Sequence, residues 1–252
     1  MEGGNIDGNT RRGRTSKRKE MLEKKKVVDG LIKAASALRD PLASFPAFHH
    51  YNQQGFCLRL ETGRGDKLSR PLKQYMQKLL KLNMERHYGT EWPTEEKVKH
   101  REMVASDARY IFVYEVPTSS RNDEMGLIPM NGNVGEVVGF VHYRFILEEE
   151  LPVLYVYELQ LEQHVQGKGL GKFLMQLLEL IARKSCMAAI MLTVQKANLS
   201  AMLFYTNKMH DELWKLGVQA VIAVEKVVAT SQRWPGFALE YLFFCLPGQQ
   251  TG

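Results

Sequence analysis

The order of apolar patterns along the chain predicts an α/β fold, a sheet with helices packed on its faces. Two observations carry that expectation. Residues 109–116, 136–147 and 151–161 read as consecutive strands, the last two separated by Glu148-Glu149-Glu150. A glycine-rich turn then opens a helix over residues 171–184, in which Phe173, Leu174, Leu177, Leu178 and Ile181 form one apolar face; a buried strand follows over residues 188–194. Strand, turn, helix and strand in that order build a sheet layered with helices.

The other elements follow in chain order. Residues 1–15 are Gly-rich, polar and aperiodic, so a disordered basic tail is expected over residues 1–16. Val27, Leu31, Ala34, Ala35 and Leu38 recur at helical spacing, predicting a helix over residues 17–38 that ends at Asp40-Pro41. A second helix is expected over residues 68–86, a linker at Trp92-Pro93 and a short helix over 95–104. The polar, Gly- and Pro-containing stretch 117–135 reads as a surface hairpin excursion, and residues 199–209 as a last helix. Four segments result: the tail 1–16, a helical extension with the first strand over 17–60, a core over 61–209, and a divergent C-terminal segment over 210–252.

A chain of 252 residues has room for one sizeable domain with extensions. No stretch approaches the roughly 20 apolar residues of a bilayer span, and the first residues carry no signal-peptide core. Cys57, Cys186 and Cys245 lie far apart without metal-ligand spacing, which fits buried thiols in a reducing compartment. The net charge of +6 is concentrated: residues 11–26 hold nine basic side chains against Glu20 and Glu23, a net of +7, leaving about −1 elsewhere. The folded body therefore lacks the excess basic charge of a nucleic-acid-binding surface, and no direct nucleic-acid contact is expected of it. The run Arg11-Arg12, Arg14, Lys17-Arg18-Lys19 and Lys24-Lys25-Lys26 suits a nuclear import signal, a docking arm or a solvated, partly helical tail.

The stretch Val165-Gln166-Gly167-Lys168-Gly169-Leu170-Gly171-Lys172 concentrates the chemical signal. Glycine lets the backbone approach a ligand without an intervening Cβ, and the free N–H groups at a helix start hold phosphate. The Gly-x-x-x-x-Gly-Lys-Ser/Thr pattern is missing, and so is the longer βαβ unit of a dinucleotide fingerprint. A tight connection without ligand is the alternative.

Gln166, Gly169 and Gly171 match the Gln/Arg-x-x-Gly-x-Gly/Ala signature of the GCN5-related N-acetyltransferases (GNAT superfamily), with Asn198 after the next strand. A closer resemblance surrounds it. Residues 155–162, Gly169 to Leu174, Met191 to Val194 with Lys196 and Asn198, Asp40-Pro41-Leu42, Phe45-Pro46, Phe48, Tyr51, Asn83-Met84, Tyr88, Glu91-Trp92 and His142 to Phe145 resemble the NatD-type N-α-acetyltransferases over roughly residues 20–209. That resemblance implies a mixed central β-sheet flanked by helices with an N-terminal helical extension. It implies acetyl-CoA as co-substrate, no metal, and transfer to the N-terminal Ser of histone four and the 2A-type histone. Cofactor contacts are implied at Gln160, Leu161, Glu162, Gln166, Lys168, Gly169, Leu170, Gly171, Lys172, Phe173 and Asn198. Histone tails are the implied partners, in nucleus and cytoplasm, with a monomer expected and no membrane.

Transfer to an α-amine needs one modest base, because that amine's pKa is about 7.7–8.0. Glu158 is the candidate: a carboxylate among Tyr155, Val156, Tyr157 and Leu159 is out of place in a buried strand, and the resemblance implies the same role. A carboxylate paired with a nearby Lys or Arg is the alternative. Strand alternation sets Tyr157 and Glu158 on opposite faces, so a shared site requires a bulge or splay. Tyr155 and Tyr157 then wall the peptide slot or relay protons, or are core aromatics. Tyr88, Trp92 and Thr193 match substrate-contacting positions, each with packing as the alternative. Glu148-Glu149-Glu150 suits attraction of a basic peptide, or a solvated loop.

Two departures stand out. The family's acidic residue after Arg-Phe is replaced by Ile146, following Arg144-Phe145. Resemblance also stops near Met209, where the family continues into two strands; Leu239-Glu240-Tyr241-Leu242 is a candidate for the last of them. A lysine or small-amine acetyltransferase, a catalytically impaired variant, and a non-catalytic module docked through its basic arm are the other readings.

Overall fold

The computed structural model describes residues 7–53, 55–116, 135–148, 150–209, 219–223 and 239–246, with side chains from residue 18 to 206 and at Leu246. The α-helices are α1 (Asp7–Ala37), α2 (Arg70–Tyr88), α3 (Trp92–Met103), α4 (Leu170–Lys184) and α5 (Leu199–Leu203). The strands are β1 (His50–Tyr51), β2 (Leu58–Arg64), β3 (Arg109–Glu115), β4 (Glu136–Glu148), β5 (Leu151–Leu161), β6 (Ala189–Gln195), β7 (Gln219–Ala223) and β8 (Leu239–Cys245). They form one sheet in the order β1-β2-β3-β4-β5-β6-β8-β7. Every neighbouring pair is antiparallel except β5 and β6, so the sheet is mixed, as expected.

Each face of the sheet has its own core. On one, Leu31, Ile32 and Ala35 of α1 and Leu174, Leu178 and Ile181 of α4 meet Val141, Tyr143, Leu154 and Val156. On the other, Met76, Leu79 and Leu80 of α2 and Trp92 and Met103 of α3 cover Tyr110, Phe112 and Phe140. The spacings follow the helical period, so each helix turns one apolar stripe inward. Local signals set the ends of α2: Ser69 accepts from Leu72 N at 3.4 Å, Pro71 sits in the first turn, and Gly89 stops the helix at φ +55°.

Four expectations change. The first helix begins at Asp7, ten residues before the predicted start, and takes in most of the tail expected to be unstructured. Its C-terminal end is anchored by packing and by Arg109, which donates to Ser36 O. From a nucleated end a helix extends at little cost through a Lys-, Arg- and Glu-rich run, aided by Glu20–Lys24 at 3.2 Å. Cys186 is exposed rather than buried, because it occupies the turn after α4 at φ +56°. The linker expected at Trp92-Pro93 is instead the start of α3. Beyond residue 209 the sheet continues, and the candidate strand Leu239-Glu240-Tyr241-Leu242 lies within β8, which pairs with β6 from Gln195↔Leu239 to Ala189↔Cys245, with β7 pairing outside it. The expected excursion at 117–135 and most of the apolar run at 218–229 lie outside the described residues, whereas the run at 237–246 is described from Leu239 on, as β8.

Candidate active site

β5 and β6 pair in parallel only from Val153↔Ala189 to Val156↔Leu192. Both strands run on, β5 to Leu161 and β6 to Gln195, so they diverge and leave a wedge between them. Main-chain groups of residues 157–160 on that side have no β6 partner and are turned to whatever enters, while the Leu161 carbonyl accepts from Asn83 and Gln166. The wedge opens into a cleft of about 690 Å³, lined by Tyr88, Lys99, Tyr157, Glu158, Thr193 and Asn198 among others.

The bulge required by the sequence is present. His142 pairs with Glu158 and Tyr143 with Val156, so one step on β4 spans two on β5 and Tyr157 is the extra residue. The consequence is a change of parity. Before it, Leu154 and Val156 face the α1/α4 core; after it, Leu159 and Leu161 do. Glu158 and Gln160 therefore turn toward α2 and α3, on the same side as Tyr155 and Tyr157. Without the extra residue the Glu158 carboxylate would enter an apolar core.

Four polar side chains meet there. Lys99 Nζ donates to Glu158 Oε1 at 2.5 Å, Gln160 Nε2 to Glu158 Oε2 at 2.8 Å, and Asn83 Nδ2 to Gln160 Oε1 at 2.9 Å. Burial acts to lower the Lys99 pKa, but the Glu158 carboxylate more than offsets this and the ammonium is held above its ordinary value. Lys99 also lies 5.5 Å above the Tyr88 ring. Burial pushes the Tyr88 phenol up, opposed by Lys99. Burial likewise raises Glu95 and Glu102, the neighbours of Lys99 on α3.

An aromatic row crosses the same face. His142 stacks between Tyr110 and Tyr157, with centroids 5.0 and 4.8 Å away, and Tyr155 follows at 4.8 Å from Tyr157. Arg144 lies 4.5 Å over Tyr157 and donates to His142 Nε2 at 3.4 Å. Burial, then Arg144 and Lys99, hold the His142 pKa well below its ordinary value. Burial pushes the Tyr157 phenol up, against Arg144. Tyr155 does not itself line the cleft but borders it, donating to Thr193 Oγ1 at 3.2 Å and packing on Tyr157.

The glycine turn sits at the mouth of the wedge. Gly169 is left-handed at φ +83° and precedes α4, whose first internal bond runs from Phe173 N to Gly169 O at 3.1 Å. The amides of Leu170, Gly171 and Lys172 come before that bond, at the positive end of the helix dipole. A Cβ at Gly169 would meet Tyr51 Oη at 2.9 Å, and one at Gly171 would meet Phe204 Cζ at 3.3 Å. The turn thus has the backbone form of a diphosphate cradle.

Several predicted cofactor residues have side chains engaged elsewhere, and Glu162, Lys168, Leu170 and Phe173 are not among the residues lining the cleft. Gln160 spends its amide on Glu158 and Asn83, and Gln166 donates to Leu161 O at 2.8 Å. Leu161 and Leu170 are core side chains, and Glu162 N donates to Val138 O at 2.8 Å. Lys168 places its carbonyl, not its ammonium, in a defined contact, while Phe173 stacks on Phe48 at 4.6 Å. Asn198 Oδ1 caps α5 through Ala201 N at 3.2 Å, leaving its amide nitrogen as the donor. Trp92 is 2% exposed, inside the α2/α3 core, and does not line the cleft; its ring centroid lies 5.8 Å from that of Tyr88, which does. Glu148 ends β4, whereas Glu149 lies outside the described residues.

Sequence reasoning missed Lys99, the network role of Asn83, and Phe204 and Tyr205 in the cleft wall. Lys99 and Glu95 share a helix face with Glu102 and Met103, a spacing that marks a charged seam turned inward. Among the described residues, no group of three or more His, Cys, Asp or Glu is placed to hold a metal, and no helix is long and apolar enough to cross a membrane.

Among solved structures, the chain is similar to an acetyltransferase from Streptococcus agalactiae (13% identity, 74% of this chain and 98% of that one, TM-score 0.48). It is also similar to Arabidopsis thaliana NAA60, solved with a bisubstrate analogue (12% identity, 74% and 99% covered, TM-score 0.42). A third is the NatC complex bound to Gag peptide and CoA (14% identity, 74% and 98% covered, TM-score 0.42). Residues 76–210, more than half of the chain, match the Acetyltransferase (GNAT) family. With the split strands and the glycine turn in place, the chain belongs to the GNAT acetyltransferases, acyltransferases that use acetyl-CoA.

Proposed function

We propose that the protein is an N-terminal α-amino acetyltransferase of NatD type, acting on the N-terminal Ser of histone four and the 2A-type histone. The observation that carries this reading is the bulge at Tyr157, because it turns Glu158 into the cleft that Gly169 and Gly171 also line. Glu158 is the base. Lys99 and Gln160 each hold one of its oxygens, and each oxygen keeps a second lone pair for the amine or an intervening water. Lys99 stays an ammonium and so is not the base. An α-amine near pKa 7.7–8.0 gives up its proton to a modest acceptor.

Binding falls to the rest of the site. The amides at 169–171 take the diphosphate, while main-chain groups of residues 157–160 align the pantetheine arm and polarise the thioester carbonyl. Glu158 takes one proton from the α-ammonium and passes it to solvent. The neutral nitrogen bonds to the acetyl carbon, the carbon–sulfur bond breaks, and a second proton from that nitrogen goes to the sulfur, so that CoA leaves as a thiol. Tyr88, Tyr157 and Thr193 wall the peptide side, and Glu102, Glu148 and Glu150 favour a basic tail. Histone tails are the partners, encountered in nucleus and cytoplasm by a monomer. The backbone pairing of β8 with β6 supports a closed sheet beside the cleft, which favours this reading over an impaired variant.

Incubation with acetyl-CoA and a Ser-Gly-Arg-Gly peptide, followed by mass-spectrometric location of the label, tests the reading. Acetyl on the α-amine is expected. Label on an internal lysine alone would remove the N-terminal claim.

A further inference from the structure

The segment from Pro41 to Tyr51 runs alongside α4 over its whole length. At the C-terminal end of α4, Lys184 bonds Ser44 Oγ and lies 5.8 Å over the Phe45 ring. At its N-terminal end, Phe48 stacks on Phe173 at 4.6 Å, and Tyr51 meets Phe173 edge-on at 5.1 Å. Tyr51 is 2% exposed, on the two-residue strand β1 that pairs with β2. Its hydroxyl donates to the carbonyl oxygen of Lys168, which is the peptide unit immediately before Gly169.

We infer that Tyr51 is a positioning residue for the acetyl-CoA diphosphate, acting through the Lys168–Gly169 peptide. A trans peptide is planar, and its C=O and N–H point in opposite directions. With the Lys168 oxygen drawn back onto Tyr51, the Gly169 N–H is turned the other way, toward the cleft that Gly169 lines. The same bond removes a carbonyl dipole that would otherwise rotate toward an anion and repel it. Gly169 has room for this only because it lacks a Cβ, which would sit 2.9 Å from Tyr51 Oη. Burial keeps Tyr51 a neutral donor, with its pKa raised. The N-terminal extension therefore belongs to the donor site rather than merely leading into it.

This inference rests on the use of acetyl-CoA, not on the identity of the acceptor amine. The test compares wild type with Tyr51→Phe, which keeps the ring contact with Phe173 and removes the hydroxyl. Two donors are used, acetyl-CoA and acetyl-pantetheine, which has the thioester arm without the diphosphate. The ratio of kcat/KM for acetyl-CoA over acetyl-pantetheine is expected to fall roughly five- to tenfold, the loss of one hydrogen bond. An equal fall with both donors, or none with either, overturns the inference. The Kd of CoA, read by calorimetry, is expected to rise by the same factor whatever the acceptor, and an unchanged Kd overturns the inference. Gly169→Ala is a second probe: combined with Tyr51→Phe, its effect on that Kd is expected to be less than additive, and strict additivity also overturns it. A wild-type protein that binds no CoA would sink the donor assignment itself.

Discussion

Lys99 Nζ lies 2.5 Å from Glu158 Oε1, with side-chain exposures of 13% and 7%, and it joins a helix on one face of the sheet to the strand that borders the cleft. A buried pair of this kind adds little over an apolar pair, yet breaking it strands a charge. Lys99→Met is therefore expected to destabilise the fold by about 3–5 kcal/mol. Adding Glu158→Gln to Lys99→Met should recover most of that stability without recovering turnover. Denaturant titration of the single and double variants measures it; a double variant as unstable as Lys99→Met would sink the pairing argument.

Glu158→Gln alone keeps a polar group of the same shape between Lys99 and Gln160 but cannot accept a proton. Turnover is expected to fall about 10²–10⁴-fold while the Kd of CoA stays near the wild-type value. Steady-state kinetics with calorimetry decides it, and unchanged turnover rejects Glu158 as the base.

Gly171 approaches Phe204 closely enough that a Cβ would sit 3.3 Å from its ring. Gly171→Val is expected to raise KM for acetyl-CoA roughly tenfold by overpacking. Phe204→Leu in the same chain should recover part of the loss. If the second substitution instead deepens it, the two residues do not share the contact described.

His142 is 1% exposed, and its pKa lies well below the ordinary 6.5 because burial, Arg144 and Lys99 all disfavour its cation. Below that pH the unfolded chain protonates this imidazole and the folded chain does not, so stability falls with pH, by up to about 1.4 kcal/mol per unit. Glu95 and Glu102, raised by burial, have the opposite sign: their contribution is present below the ordinary carboxylate value and lost as pH rises through their folded pKa. Comparing Tm of wild type and His142→Phe between about pH 7 and pH 5 isolates the imidazole. The Phe variant should lose less stability on acidification; parallel curves would contradict the buried neutral form.

What the sequence determined by itself was local or periodic. The α4 stripe from Leu174 to Ile181 and the turn at Gly169 and Gly171 depend on helical spacing and backbone freedom, both of which neighbouring residues decide. The bulge at Tyr157 was legible as a requirement, since parity alone separates Tyr157 from Glu158. Tertiary structure decided the rest. Lys99 lies on the inward seam of its helix with Glu95, Glu102 and Met103, but nothing in that spacing names Glu158, 59 residues away, as its partner. Tyr51 is 117 residues from Lys168. Trp92 has the same identity in a pocket or in a core, and only packing put it in the core. Contacts between distant segments depend on how the sheet orders its strands, and that order is the outcome of burying both faces at once rather than of any single stretch of chain.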